Sequence, residues 1–167
     1  MFKVKPAVGI WLVSLIWIGA VGGIWFMHEY GLKNGTEVEL KAVPVDPRDF
    51  FRGDYVILRY AISSLSGSYD SKLFKRNKFV YVPLVLNNGM WTSGVATVKR
   101  PSGLSIKGRV RANYGNTLQI TYGGIESFFV PEGQGLEYEK AQTANRLYAI
   151  MNIQKNGNAN LKRLVIK

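Results

Sequence analysis

The chain has 167 residues, 22 Lys and Arg against 11 Asp and Glu, one His and no Cys, a length for one domain of ordinary size or a small domain with an appendage. Without Cys there are no disulfides, thiolate-held zinc sites, iron–sulfur clusters or thiol catalysis. The single imidazole, His28, sits beside the most apolar stretch of the chain, which nearly excludes Ser-His-Asp hydrolysis and multi-His metal sites, so no metal and no cofactor are expected.

Residues 7–27 carry no charge and include Trp11, Leu15, Ile16, Trp17, Ile18, Ile24, Trp25 and Phe26. As a helix, this stretch would be about 31 Å long, close to the hydrocarbon thickness of a bilayer. Lys3 and Lys5 precede it and Glu29 follows it, so the positive-inside rule keeps the N-terminus in the cytoplasm and exports the rest. A cleavable signal peptide is the rival reading, since Ala20, Gly22 and Gly23 are small. The apolar run continues past them to Met27, which favours an uncleaved anchor. The small residues from Gly19 to Gly23 would also let another helix approach closely.

The remainder of the chain reads as strands separated by turns. In residues 36–43, Val38, Leu40 and Ala42 alternate with Glu37, Glu39 and Lys41, the pattern of a half-buried strand. Residues 55–62 and 79–86 are rich in β-branched and aromatic side chains. Asn87-Asn88-Gly89 separates 79–86 from a strand over 90–98, and Asn-Gly is a strong hairpin signal. Residues 104–110 alternate and turn through Asn113-Tyr114-Gly115-Asn116 into 118–122; 128–130 is a further strand. One short helix is expected at 135–146. Lys155-Asn156-Gly157-Asn158 joins 147–153 to 161–166 as a second hairpin. The expected fold is mainly β: one N-terminal transmembrane helix (residues 1–28 with its cytoplasmic end), then a single antiparallel β domain over residues 29–167 with at most one short helix.

Charge comes in blocks. Residues 71–125 carry nine basic groups and no acidic one, and residues 140–167 carry six basic groups and no acidic one. Strand alternation sends many of these outward, so a cationic surface is expected, with Lys72, Lys75, Arg76 and Lys78 its candidate cluster. For an exported domain, the partners are the membrane, integral membrane proteins, anionic lipid or a cell-wall polymer, and not nucleic acid.

Two segments stand out. The first runs from Pro44 through Asp46, Pro47, Arg48, Asp49, Phe50, Phe51, Arg52 and then Gly53-Asp54-Tyr55-Val56-Ile57-Leu58-Arg59-Tyr60. Pro47 and Gly53 bracket a turn in which Asp46 or Asp49 can accept backbone N–H groups. Asp54 opens a strand with Val56, Leu58 and Tyr60 on one face and Tyr55, Ile57 and Arg59 on the other, both largely apolar and so expected to be covered. Arg48, Arg52, Asp46 and Asp49 could instead form a polar site. The second segment is Gly124-Ile125-Glu126-Ser127-Phe128-Phe129-Val130-Pro131-Glu132-Gly133, whose Glu126 and Glu132 could pair with those arginines.

Together these segments resemble the GDYXXLXY family of bacterial membrane-anchored proteins over nearly the whole exported part. The resemblance implies an accessory protein of the bacterial inner membrane: single-pass, N-terminus cytoplasmic, C-terminal domain periplasmic, with no assigned activity. A second likeness is to bacterial signal peptidases, whose Lys-Arg-x-x-Gly-Leu segment is similar to Lys99-Arg100-Pro101-Ser102-Gly103-Leu104. There Lys99 would be the general base, and its amine would have to be desolvated to lose its proton. The corresponding nucleophile is missing, because Val45-Asp46 stands where Ser should be. The leading expectation is therefore a non-enzymatic accessory protein. The alternatives are a Ser/Lys peptidase-like hydrolase and a binding module for an anionic glycan or lipid headgroup.

Overall fold

The computed structural model describes residue 11 and residues 13–23, 35–44 and 55–167. The chain forms two compact units, Met1–Asn34 and Gly35–Lys167. In the first, residues 11 and 13–23 are helical (α1), and Trp11, Leu15, Ile16, Trp17 and Ile18 are exposed. Among the described residues, no helix is long and apolar enough to cross a membrane. The flanks of the uncharged run, residues 7–10 and 24–27, lie outside the described residues.

The second unit is built of antiparallel strands around one buried cluster. A four-stranded sheet has the order β11 (Ala159–Ile166), β10 (Leu147–Ile153), β1 (Thr36–Val43), β3 (Arg59–Tyr60). A five-stranded sheet has the order β4 (Ser64–Ser66), β8 (Thr117–Thr121), β7 (Ser105–Asn113), β5 (Phe79–Asn87), β6 (Met90–Ser93). A third, small ladder pairs β2 (Tyr55–Ile57) with β9 (Ser127–Phe129). One helix, α2 (Gly135–Thr143), lies against β1, β2 and β10. Val38, Leu40 and Ala42 of β1 and Leu147, Ala149 and Met151 of β10 join Val80 and Val82 of β5, Ile106 and Val110 of β7, and Leu118 and Ile120 of β8 in the core.

The turns follow from their residues. Asn88 and Gly89 both take positive φ, 48° and 78°, as a two-residue hairpin loop whose twist matches its strands demands. Between β7 and β8, the Asn113 side chain accepts the Gly115 N–H at 2.8 Å, the self-capping typical of Asn in turns. α2 ends three residues earlier than the expected 146, with Asn145 in the left-handed region at φ 57°.

Three expectations need correction. Residues 55–62 do not form one strand. β2 pairs with β9, whereas β3 pairs with β1, so the chain changes ladder at Leu58 and then makes a 3-10 turn over Ala61–Ser63. Nor are both faces of this segment covered: Val56, Leu58 and Tyr60 are buried, but Tyr55 is 52% exposed and Arg59 is also open to solvent. Finally, the strand expected over 90–98 stops at Ser93. Gly94 N–H still donates to Pro83 O at 2.8 Å, but Pro83 has no N–H to return. The chain rejoins β5 only at the isolated Tyr81–Thr97 bridge.

Candidate functional site

The described half of the first motif is tied to the second by a set of buried hydrogen bonds. Leu58 (2% exposed) sits where the chain changes ladder, and its N–H donates to Glu126 O at 2.8 Å. The Tyr60 hydroxyl donates to Ile125 O, and the Tyr60 N–H donates to Ser63 Oγ at 3.3 Å. Tyr122 returns the tie: its hydroxyl donates to Ile62 O at 2.7 Å. Its N–H donates to Glu126 Oε1 at 2.9 Å. The loop between them turns at Gly124, with φ 88°. Burial first, and then the nearby Glu126 charge, raise both phenols far above the usual tyrosine range. These hydroxyls therefore act as donors to carbonyls and not as bases near neutral pH.

The other candidates are spread over several parts of the chain. Asp46, Arg48, Asp49, Arg52, Gly53 and Asp54 lie outside the described residues, as do the pairings expected between these arginines and Glu126 or Glu132. Tyr55 packs edge-on against Phe129, with ring centroids 5.3 Å apart. Glu132 is exposed just after β9, and Glu126 is half-buried. Glu126 lines a cleft of about 450 Å³ together with Arg59, Ser63, Ser64, Arg111, Gln119 and Thr121 over a floor of Ile57, Leu58 and Ile120. Arg59 and Arg111 were not singled out from the sequence as a pair. They come from separate strands, and only the fold brings them to one cleft.

Lys72, Lys75, Arg76 and Lys78 are all exposed on the loop between β4 and β5. The loop is held from beneath: Tyr69 and Phe74 are buried and meet edge-on at 5.2 Å, and Asn113 Nδ2 donates to Tyr69 O and Phe74 O at 3.3 and 3.4 Å. Asp70 Oδ1 accepts the Lys72 N–H at 2.7 Å. A second cationic feature lies on β5 and β7. Lys107 Nζ and the Arg109 guanidinium each sit 4.2 Å from the centre of the Phe79 ring, a cation–π arrangement. Its signal was present in the alternation Lys107-x-Arg109 within a strand, but the count of block charges does not show which aromatic they flank.

Lys99 is exposed, on a bend where its carbonyl accepts the Thr97 hydroxyl at 2.7 Å. Among the described residues, no three His, Cys, Asp or Glu side chains gather as a metal site.

The model of the GDYXXLXY protein family matches residues 17–164, most of the chain and both tied motifs. The chain belongs to the GDYXXLXY family. No curated protein and no solved structure matches it. The buried hydrogen bonds give the Leu-x-Tyr end of the family's eponymous motif a physical role. Leu58 fills the core where the chain changes sheets, and Tyr60 locks the loop that carries Glu126.

Proposed function

We propose that this GDYXXLXY protein is a non-enzymatic accessory subunit of the bacterial inner membrane. Residues 7–27 anchor it, with the N-terminus in the cytoplasm, and the β unit works in the periplasm. There it docks on the acidic face of an integral membrane protein complex, or on another envelope component. The observation that carries this reading is the mixed surface of β5 and β7. Phe79 and Val85 are exposed along β5, with Tyr81 half-buried between them, while Lys107 and Arg109 flank Phe79 from β7. Aromatic and Arg side chains set among apolar ones suit a protein interface, and excess cations steer an acidic partner. Met90, exposed at the hairpin tip and paired opposite Asn87, extends the apolar part on the same face.

Two measurements test the reading. A reporter fused after Lys167 should be active outside the cytoplasm, and the full chain should stay with membranes through carbonate extraction. Affinity recovery from native membranes should bring down an integral membrane protein, and the Lys107→Glu/Arg109→Glu variant should lose it with its melting temperature unchanged. A cytoplasmic reporter, release by carbonate, or recovery indifferent to charge reversal would count against the proposal.

A further inference from the structure

We infer that the cleft between β3, β7 and β8 binds a phosphate-bearing polar ligand whose own hydroxyl or ammonium group lies against Glu126. This goes beyond the docking surface of β5 and β7 and does not rest on it. Arg59 and Arg111 both line the cleft, and among the described residues neither is in an ion pair. The cations at the β11 edge, by contrast, are engaged: Lys162 with Glu37 and Lys167 with Glu39. Arg111 stands where the β7–β8 register shifts, between Val110 and Ala112, and such bulges re-aim side chains. Two guanidinium forks match the oxygens of a phosphate.

The remaining wall is also chemically selective. The Thr121 hydroxyl already donates to Arg109 O at 3.3 Å, while Ser64 and Gln119 add hydroxyl and amide donors. With two arginines, these are more donors than the two oxygens of a carboxylate use well, and a tetrahedral oxyanion offers more acceptors. Glu126 stands in the same cleft, fixed by the Tyr122 N–H on its Oε1 at 2.9 Å. Its charge disfavours a bare anion and favours one that carries a donor beside the phosphate, as phosphoethanolamine and glycerol phosphate do. The volume of about 450 Å³ exceeds a lone phosphate and falls in the range of small-ligand sites. The same chemistry is offered by a soluble phosphorylated compound and by a phospholipid headgroup.

The test uses the full chain in an uncharged detergent, in two arms. Calorimetric titration with phosphoethanolamine, glycerol phosphate and inorganic phosphate probes the soluble source. Native mass spectrometry with phosphatidylethanolamine or phosphatidylglycerol, against diacylglycerol as the phosphate-free control, probes the headgroup. Saturable binding is expected in at least one arm, and the arm identifies the source. Arg59→Gln and Arg111→Gln, at exposed positions, should each weaken binding by about tenfold or more at an unchanged melting temperature. Glu126→Gln keeps an acceptor for Tyr122 and should erase the preference for phosphoethanolamine over inorganic phosphate, or for phosphatidylethanolamine where only the lipid arm binds. Lys72→Gln/Lys75→Gln should bind as the parent does. Absence of saturable binding in both arms, binding indifferent to the arginine changes, or a preference that survives Glu126→Gln would overturn the inference.

Discussion

Tyr60 and Tyr122 are tied crosswise: the Tyr60 hydroxyl donates to Ile125 O, just beyond Tyr122, and the Tyr122 hydroxyl donates to Ile62 O, just beyond Tyr60. Each ring is 1% exposed, so each hydroxyl satisfies a buried carbonyl that water cannot reach. The pair fastens the 3-10 turn after β3 to the loop before β9, and Glu126 sits at the centre of that fastening. Tyr60→Phe and Tyr122→Phe remove one oxygen each and leave a buried carbonyl without its donor. Each should lower stability by about 1–3 kcal/mol, read by chemical denaturation.

The same two phenols set an alkaline limit. Their folded pKa values are raised above the ordinary 10.0, by burial first and by Glu126 second. A raised pKa means that the contribution is complete below the unfolded value and is lost as pH climbs from there towards the folded one. Stability should therefore fall above pH 10, with tyrosinate absorbance from these two rings appearing only as the chain unfolds. The Tyr60→Phe/Tyr122→Phe double variant, less stable at neutral pH, should show a shallower alkaline decline.

Leu58 and Arg59 should respond in opposite ways although they are neighbours in the motif. Leu58 is buried at the ladder change, so Leu58→Ala should cost about 2–5 kcal/mol. Arg59 faces the cleft and is exposed. Arg59→Ala should leave stability within about 0.5 kcal/mol of the parent, as a thermal melt of both proteins would show.

Gly108 is required by close approach. A Cβ there would meet Ile120 Cγ2 at 2.4 Å and Thr121 O at 3.0 Å. Gly108→Ala should destabilise by about 1–3 kcal/mol through overpacking between β7 and β8, and Gly108→Ala/Ile120→Leu, which removes the β-branch methyl Cγ2 that the new Cβ would strike, should recover part of that loss. Denaturant midpoints of the two variants check it.

Much of the β unit was legible because its signals are local. The alternation of Val38, Leu40 and Ala42 marks β1, and Asn88-Gly89 and Asn156-Gly157 mark two hairpins by backbone chemistry alone. The break at Leu58 was not legible, since it depends on which distant strand each half pairs with: β9 for Tyr55–Ile57, β1 for Arg59–Tyr60. The two-faced burial inferred for that segment failed for the same reason. Tyr55 reads as a core aromatic, but it lies on a two-stranded ladder and packs on exposed Phe129. The cleft was least legible of all, because Arg59 and Arg111 meet there only after three strands have found their places. Glu126 was singled out from sequence, but for partners, Arg48 and Arg52, that lie outside the described residues.

The most direct test of the docking proposal is photo-crosslinking from β5 in native membranes. A benzophenone side chain at Phe79, the ring that lies between Lys107 and Arg109, should capture an integral membrane protein. Capture should weaken as salt rises, because exposed charges are screened, and should disappear when Lys107→Glu/Arg109→Glu is added. No adduct at this position, or an adduct indifferent to both salt and charge reversal, would contradict the account.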